Sequence, residues 1–177
     1  MTQHSNKHHP IRIDLVALLA AFTLFLSTIE YLIPKPVPFM RIGLANLPLM
    51  IALGILATKE YALLALLKFL GQGLVTGTIF SYVALFSLGS TTASACTMYF
   101  LYRIGKRWVG MVGIGIAGAM ASNVVQLALS RYILFGPGMW LIAPPFLTVG
   151  FVTAVLLGLF AQQFVNRSVW YKSKVAS

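Results

Sequence analysis

Polar side chains recur on one face of three apolar segments, and these residues are the chain's candidates for binding chemistry. Residues three, four and seven or eight positions apart lie on the same side of an α-helix. The three polar stripes are Thr23, Ser27 and Glu30; Lys68, Gln72 and Thr76; and Asn123, Gln126 and Ser130. Carboxylate, ammonium, amide and hydroxyl groups bind polar ligands through hydrogen bonds and charge pairing. The spacing therefore predicts three helices that each present one polar face.

The composition indicates where those helices lie. Of the 177 residues, 59% are hydrophobic and 9% are charged, which is far from the average of soluble globular domains. The net charge of +10 comes from cations between apolar runs, and these cations do not form a basic face interleaved with aromatic residues. We therefore predict an integral membrane protein whose partner is the lipid bilayer, and we expect no nucleic acid.

The apolar runs predict an all-α integral membrane protein with six transmembrane helices. A spanning helix needs about 20 mostly apolar residues, and six segments approach or exceed this length: 12–33, 41–58, 60–77, 79–102, 109–133 and 140–165. The stretch 77–81 is the predicted turn between the third and fourth segments, because Gly77 and flanking hydroxyls favour one. We predict a polar tail at 1–11, one membrane domain at 12–168 and a basic tail at 169–177.

The distribution of cations predicts the orientation. With six spans and the N-terminus inside, nine Lys and Arg residues fall on the cytoplasmic side and three fall outside. This distribution agrees with the positive-inside rule and places both termini in the cytoplasm. The outer cations are Lys35, Arg41 and Arg131.

The polar residues are predicted to lie at similar depths in the membrane. At about 1.5 Å per helical residue, Lys68 lies near mid-membrane and most other stripe residues lie in the outer half. Lys35, Arg41 and Asn46 follow the first helix in the segment EYLIPKPVPFMRIGLAN, whose three prolines favour a stiff connection. We predict an outward-opening pocket lined by Glu30, Lys35, Arg41, Asn46, Lys68, Gln72, Thr76, Asn123 and Gln126.

Two readings of these residues stay open. Hydroxyl and amide side chains also join membrane helices to one another, and this is the expected role of Ser27, Ser130 and the hydroxyls Ser87, Thr91 and Ser94. Lys68 costs a few kcal/mol at mid-membrane, so it either pairs structurally with Glu30 or contacts a ligand. The excess of cations over the single acid in this region favours a ligand that carries carboxylate or phosphate.

Several kinds of chemistry find no support in the sequence. There is no phosphate-binding G-x-x-x-x-G-K-[ST] loop, and the three acids Asp14, Glu30 and Glu60 are far apart. There is no Asp-rich motif for magnesium diphosphate, no Cys/His metal motif and no nucleophile triad within the spans. Cys96 is expected to pack in an apolar setting. We expect no catalytic residue, metal or cofactor, and transport against a gradient would need energy from a partner or an ion gradient.

The polar motifs as a set resemble a known family. Glu30-x-x-Ile-Pro-x-Pro-x-Pro, Arg41-Ile-Gly-Leu-Ala-Asn46, GQGLVTGT at 71–78, Phe80-Ser81 and Gly118-Ala-x-x-Ser-Asn-x-x-Gln126 are similar to the bacterial membrane family called heptaprenyl diphosphate synthase component I, or Gx transporter family. The resemblance covers about residues 13–165. It implies a multi-pass protein of the bacterial cytoplasmic membrane.

That family in turn resembles the substrate-binding S components of energy-coupling factor (ECF) vitamin transporters. The resemblance implies a six-helix bundle with an outward pocket, which binds a coupling subunit and two ATPases. It also implies that Ala17 and Ala21 dock the coupling subunit, since they match the Ala-x-x-x-Ala motif of the first helix. The expected function is the substrate-binding subunit of an ECF-like importer for a small, anionic, vitamin-like molecule.

Two alternatives remain beside the importer. One is a nonenzymatic accessory protein in polyprenyl diphosphate or quinone metabolism, or in flavin- and quinone-linked electron transfer. The other is a membrane scaffold, which the cost of Lys68 at mid-membrane and the shared depth of the polar faces disfavour.

Overall fold

The computed structural model describes residues 12–34, 42–105 and 108–176, and within these ranges the chain is helical without strands. Two of the predicted ligand-binding residues, Lys35 and Arg41, lie outside the described residues. The α-helices are α1 (Ile13–Leu32), α2 (Leu47–Ala52), α3 (Thr58–Val75), α4 (Tyr82–Gly105), α5 (Met111–Ser130), α6 (Met139–Arg167) and α7 (Val169–Ala176). Short 3-10 turns lie at Leu44–Asn46 and Gly136–Gly138, and a π-helical turn lies at Arg131–Phe135.

The helices form a bundle with two distinct ends. At one end, the backbone N–H of Arg12 donates to Glu60 Oε1 at the start of α3, over 2.6 Å. The Arg12 guanidinium donates there to the carbonyl of Lys174, so the first and last described segments meet. We call this the Arg12 end and the opposite one the Glu30 end. Because α1 and α3 both start at the Arg12 end and pack together, they run parallel.

The second crossing differs from the prediction of a helix over 41–58. Its α-helix, α2, has only six residues, which is about 9 Å of helix. The segment still runs from one end of the bundle to the other, since Ile42 N–H contacts Glu30 and the carbonyl of Ile55 contacts Arg12. All six residues of α2 are buried. A short helix with irregular flanks is tolerated here because protein surrounds it on all sides.

The other five predicted segments correspond to α1, α3, α4, α5 and α6. The turn predicted at 77–81 lies at 76–81, where Gly77 has a φ of +65°. A positive φ is strained for residues with a side chain, and glycine adopts it readily. The glycine thus reverses the chain between α3 and α4, as the sequence indicated.

Two helical stretches among the described residues are long and apolar enough to cross a membrane, namely Ile13–Leu32 and Met111–Arg167. The second is 57 residues long, but it folds back on itself because α5 and α6 pack along each other after the turn at 131–138. Helix α3 contains three charged residues, Lys59, Glu60 and Lys68. Length and composition thus indicate membrane association without establishing six spans.

The outer surface of the bundle is apolar. Leu141 is 86% exposed and Leu74 is 70% exposed, and many other large hydrophobic side chains on α1, α4 and α6 point outward. Soluble monomers rarely expose contiguous apolar surface on this scale. The exterior is therefore suited to lipid, while the buried polar groups face inward.

The C-terminal segment predicted as a basic tail, 169–177, contains helix α7. Its Tyr171 side chain is 7% exposed and belongs to the main hydrophobic core. The tyrosine hydroxyl lies directly against Gly54, where any side chain would overlap it. The helix thereby packs against the buried second crossing.

Candidate functional site

A small polar cavity lies inside the bundle, toward the Glu30 end. Six segments line it: α1, the turn before α2, α3, α4, α5 and α6. Its volume is ≈ 20 Å³, which is room for about one water molecule. The lining residues are Glu30, Gly43, Ala45, Asn46, Lys68, Gln72, Ser90, Thr91, Ala119, Ser122, Asn123 and Gly150.

Glu30 holds the turn that enters the second crossing. Its carboxylate is 2% exposed and accepts hydrogen bonds from the backbone N–H groups of Ile42, at 2.9 Å, and Ala45, at 3.4 Å. Gly43, between these two donors, has a φ of +91°, which residues with a side chain rarely adopt. The glycine lets both amides face the carboxylate. Glu30 therefore has a positioning role in the segment that carries Asn46.

Lys68 comes from the middle of α3 and meets that same segment. Its side chain is 5% exposed, and its ammonium donates a short hydrogen bond to Asn46 Oδ1. A buried ammonium requires such partners, because desolvation of an unpaired charge costs several kcal/mol. The sequence left a structural Lys68–Glu30 pair open, and the structure identifies Asn46 as a partner of the lysine.

Asn123 enters the cavity from α5. It is buried, and its Nδ2 has no hydrogen-bond partner among the described residues. The amide packs directly against Gly150 on α6, where a Cβ would overlap Nδ2. Such an unpaired buried amide is unfavourable by about 1–3 kcal/mol. It is thus a hydrogen-bonding group available to a ligand or water.

Two predicted pocket residues lie outside the cavity lining. Thr76 Oγ1 donates to the carbonyl of Gln72 at 2.8 Å and also bonds Thr78 Oγ1. Gln126 Nε2 donates to Ser122 Oγ at 3.1 Å, and Gln126 is fully buried. Gln126 therefore supports a lining residue instead of forming the wall. Of the nine predicted residues, the structure brings five to the cavity: Glu30, Asn46, Lys68, Gln72 and Asn123.

Hydroxyl groups on α4 and α5 complete the polar lining, and the sequence analysis did not assign them to it. Ser90 and Thr91 of α4 and Ser122 of α5 face the cavity. Thr91 Oγ1 has no partner among the described residues. Ser87, Ser90, Thr91 and Ser94 share one buried face of α4, at the same helical spacing as the other stripes. That spacing was the signal that could have placed Thr91 in the pocket.

Two of the four cations expected around the pocket, Lys68 and Arg131, lie within the described residues, and only Lys68 lines the cavity. Arg131, one of the expected outer cations, is exposed and lies over the Trp140 ring, 5.4 Å from its centroid. Among the described residues, the charged groups that line the cavity are Lys68 and Glu30. The described part of the cavity therefore offers one buried cation, one carboxylate engaged by backbone amides, and amide and hydroxyl groups.

The lining is suited to binding. Within 12–34, 42–105 and 108–176, no three His, Cys, Asp or Glu residues are grouped so that they could hold a metal ion. The lining side chains can donate and accept hydrogen bonds and can neutralise one ligand charge. These are the properties of a recognition site.

The predicted docking residues lie on the outside of α1. Ala17 and Ala21 are both exposed. Ala21 borders an apolar groove that also includes Phe22, Phe25 and Trp170. The motif is thus placed where another protein or lipid can reach it.

Comparison with known proteins gives one family match. The model described as heptaprenyl diphosphate synthase component I matches residues 19–164. The match begins within α1, ends near the end of α6 and includes the cavity-lining residues. Neither the comparison with curated proteins nor that with solved structures gives a match.

Proposed function

We propose, from the premise that the chain belongs to the heptaprenyl diphosphate synthase component I family, that it is a nonenzymatic membrane protein that binds a small molecule. Its specific role in this proposal is the substrate-binding subunit of an ECF-like importer for a small, anionic, vitamin-like molecule. The observation that carries the proposal is the buried cavity, where Lys68 and Gln72 of α3 meet Asn46 from the turn before α2 and Asn123 from α5.

A purely structural role explains this arrangement less well. Charged and amide groups inside a membrane are expensive, and they mark ligand or ion sites by default. If these side chains served only to join helices, their polar atoms would be hydrogen-bonded to one another. Instead, Asn123 Nδ2 and Thr91 Oγ1 face the same cavity without a partner among the described residues.

The proposed ligand carries an anionic group that contacts Lys68, joined by Arg41 from the adjoining segment. Asn46, Gln72 and Asn123 then supply hydrogen bonds, and Glu30 holds the backbone of residues 42–45 in place. Lys35 completes the proposed outer rim. Since the cavity holds about one water molecule, a vitamin-sized ligand enters only when the surrounding segments move apart.

The proposed topology has six crossings with the Arg12 end in the cytoplasm. Exposed cations at that end, Lys59, Arg103 and Arg167, fit the positive-inside rule. Exposed aromatic residues near the Glu30 end, which include Tyr31, Tyr82, Tyr132 and Trp140, fit an interfacial belt.

Cysteine labelling tests this topology. In a Cys96→Ala background, single cysteines at the exposed positions Gly138 and Asn166 report on the two ends of α6. An impermeant maleimide added to intact cells should label Gly138→Cys and leave Asn166→Cys unlabelled until lysis. Labelling of both from outside would contradict the proposed orientation.

Coupling is proposed to occur through the surface that carries Ala17 and Ala21. Because the sequence has no phosphate-binding loop for ATP, a coupling subunit and its ATPases would supply the energy for release of the ligand. Ala17→Leu with Ala21→Leu should abolish co-purification with the coupling subunit and leave ligand binding intact. The control is Thr148→Leu, which also places a leucine at an exposed position, but on α6.

The first experiment is native mass spectrometry of the purified protein in mild detergent, with extraction of bound small molecules. We expect an anionic compound that Lys68→Met releases and that Lys59→Met, at an exposed site on the same helix, retains. A compound retained equally by both variants would contradict the assignment of the cavity. Thermal melts of both variants separate ligand loss from misfolding.

The family description favours a second candidate. The words "component I" imply a second synthase component, so the chain could support a soluble polyprenyl diphosphate synthase without catalysing the reaction itself. A bound polyprenyl or quinone lipid in the same spectra, or a soluble synthase that co-purifies, would favour this accessory role or one in quinone-linked electron transfer.

A further inference from the structure

A second, apolar groove runs along the outside of the bundle between α3 and α4. Its volume is about 320 Å³, far larger than the polar cavity. The walls are mostly alanine, leucine and aromatic side chains, among them Ala62, Leu66, Phe69 and Leu88. The groove therefore fits an extended hydrocarbon chain.

A polar cluster closes the groove at the Arg12 end. Thr58 Oγ1 and Tyr99 Oη are joined by a 2.5 Å hydrogen bond. Arg103 donates from Nε to Tyr99 Oη at 3.0 Å and from Nη2 to Thr58 Oγ1 at 3.3 Å. Its guanidinium also lies over the Tyr99 ring, 5.4 Å from the centroid. The exposed Arg103 side chain is thus held at the end of the groove by three contacts.

The length of the groove matches the thickness of the hydrocarbon region in one leaflet. Thr58 and Phe69 line its two ends on α3, and the rise of about 1.5 Å at each step along the helix from one to the other gives about 16 Å. Half of the hydrocarbon core of a bilayer is about 15 Å. A chain in the groove would therefore reach from the interface, at Arg103, to the middle of the membrane.

The charge at the interface is positive. Lys59 is exposed beside Thr58, and the nearby acid Glu60 is buried and accepts hydrogen bonds from Arg12 N–H and Ala57 N–H. Arg103 uses Nε and Nη2 in its described contacts, which leaves Nη1 to donate to a phosphate. Arginine suits phosphate recognition because its planar fork presents several donors.

We infer that the α3–α4 groove binds one anionic phospholipid of the cytoplasmic leaflet, with an acyl chain against Ala62, Leu66 and Phe69 and the phosphate at Arg103. The groove and the polar cavity share one lining residue, Thr91, but the proposed phosphate contact at Arg103 lies at the Arg12 end and does not depend on what the cavity binds. It rests on the proposed membrane location and orientation.

Native mass spectrometry with added lipid tests the inference. The full chain, delipidated in detergent, is titrated with phosphatidylglycerol or phosphatidylcholine of the same acyl length. We expect one tightly bound phosphatidylglycerol, with phosphatidylcholine weaker by about tenfold. Both lipids carry the phosphate, but the choline cation of phosphatidylcholine cancels its net charge and is repelled by Arg103 and Lys59. Equal binding of the two lipids would overturn the proposed recognition of the headgroup.

Three variants locate the site. Arg103→Gln should reduce phosphatidylglycerol binding to the level of phosphatidylcholine, whereas Arg167→Gln, an exposed cation at the same end, should leave it unchanged. Ala62→Phe, at an exposed position inside the groove, should weaken both lipids by filling the space. Unchanged binding in both Arg103→Gln and Ala62→Phe would overturn the site.

The same spectra separate this inference from the proposed function. Lys68→Met should release the small molecule and keep the lipid, and Arg103→Gln should do the reverse. Displacement of phosphatidylglycerol from the groove by a polyprenyl phosphate at lower concentration would overturn the phospholipid as occupant. Melting temperatures measured without lipid confirm that each variant is folded.

Discussion

The side-chain amide of Asn123 on α5 packs directly against the Cα of Gly150 on α6, so a Cβ at position 150 would overlap Asn123 Nδ2. This contact places an unpaired amide in the wall of the polar cavity. Gly150 thus contributes to the candidate site because it leaves the space that the Asn123 amide occupies.

Gly150→Ala should displace Asn123 and weaken ligand binding. Inserting a methyl group into a packed interface destabilises by about 1–3 kcal/mol, which corresponds to roughly 2–12 °C in melting temperature for a domain of this size. Thermal melts and ligand retention in native mass spectra measure the two effects. Gly138→Ala is the matched control, since nothing lies within 4 Å of a Cβ built there. Retained ligand together with an unchanged melt in Gly150→Ala would contradict the role of the contact.

The Asn46–Lys68 hydrogen bond should show strong coupling in a double-mutant cycle. Asn46→Leu leaves the buried ammonium without this acceptor, and we expect a loss of about 2–3 kcal/mol in the free energy of unfolding. Adding Lys68→Met removes the charge, so the double variant should recover much of that loss. The measurement is the unfolding free energy of wild type, both single variants and the double variant. Additive losses would show that the two side chains act independently.

Glu30→Gln should loosen the turn that carries Asn46. A neutral amide accepts hydrogen bonds from Ile42 and Ala45 N–H more weakly than a carboxylate does. Hydrogen–deuterium exchange should therefore become faster at residues 42–46, with little change in α5. Asp14→Asn, at an exposed acid on the same helix, is the control. Unchanged exchange at 42–46 would exclude Glu30 as the anchor of this turn.

Tyr171 should make the stability of the α7 contact sensitive to alkaline pH. Burial, with a smaller contribution from nearby Tyr102, raises the pKa of Tyr171 to about 12. The unfolded state has the ordinary pKa near 10, so it loses its proton first. The stabilisation is fully present below about pH 10 and is lost as the pH rises toward 12. Melting temperatures of wild type and Tyr171→Phe between pH 8 and 11.5 measure the effect.

Tyr171→Phe supplies the comparison within that experiment, because it keeps the ring beside Gly54 and removes the titrating group. Wild type should lose more stability than the variant above pH 10. Parallel curves for the two proteins would indicate that the tyrosine does not titrate differently in the folded state.

The length of the apolar runs was sufficient to predict the five long helices, and helical periodicity predicted the shared faces of their polar residues. Lys68 with Gln72 on α3, and Asn123 on α5, are local patterns that follow from 3.6 residues per turn. The Gly77 turn was likewise predictable, because it depends on the conformational freedom of one residue. These features need no knowledge of which helices are neighbours.

The second crossing could not be predicted in the same way. An apolar run of 18 residues suggested a long helix, yet α2 has six residues and is buried on all sides. Helical hydrogen bonding is obligatory only for backbone that faces lipid. Whether residues 42–57 face lipid or protein depends on the packing of the other helices, which periodicity does not contain.

The partners inside the cavity also depend on distant parts of the chain. The sequence indicated that Glu30, Asn46 and Lys68 lie near one another. The hydrogen bond that Lys68 donates to Asn46 Oδ1, and those that Glu30 accepts from backbone amides, follow from the path of residues 42–46. The α4 hydroxyl Thr91 and the close approach of Gly150 arise from helix packing in the same way. Local spacing determines which side of a helix a residue occupies, whereas contacts between helices depend on the rotation and separation of every helix in the bundle.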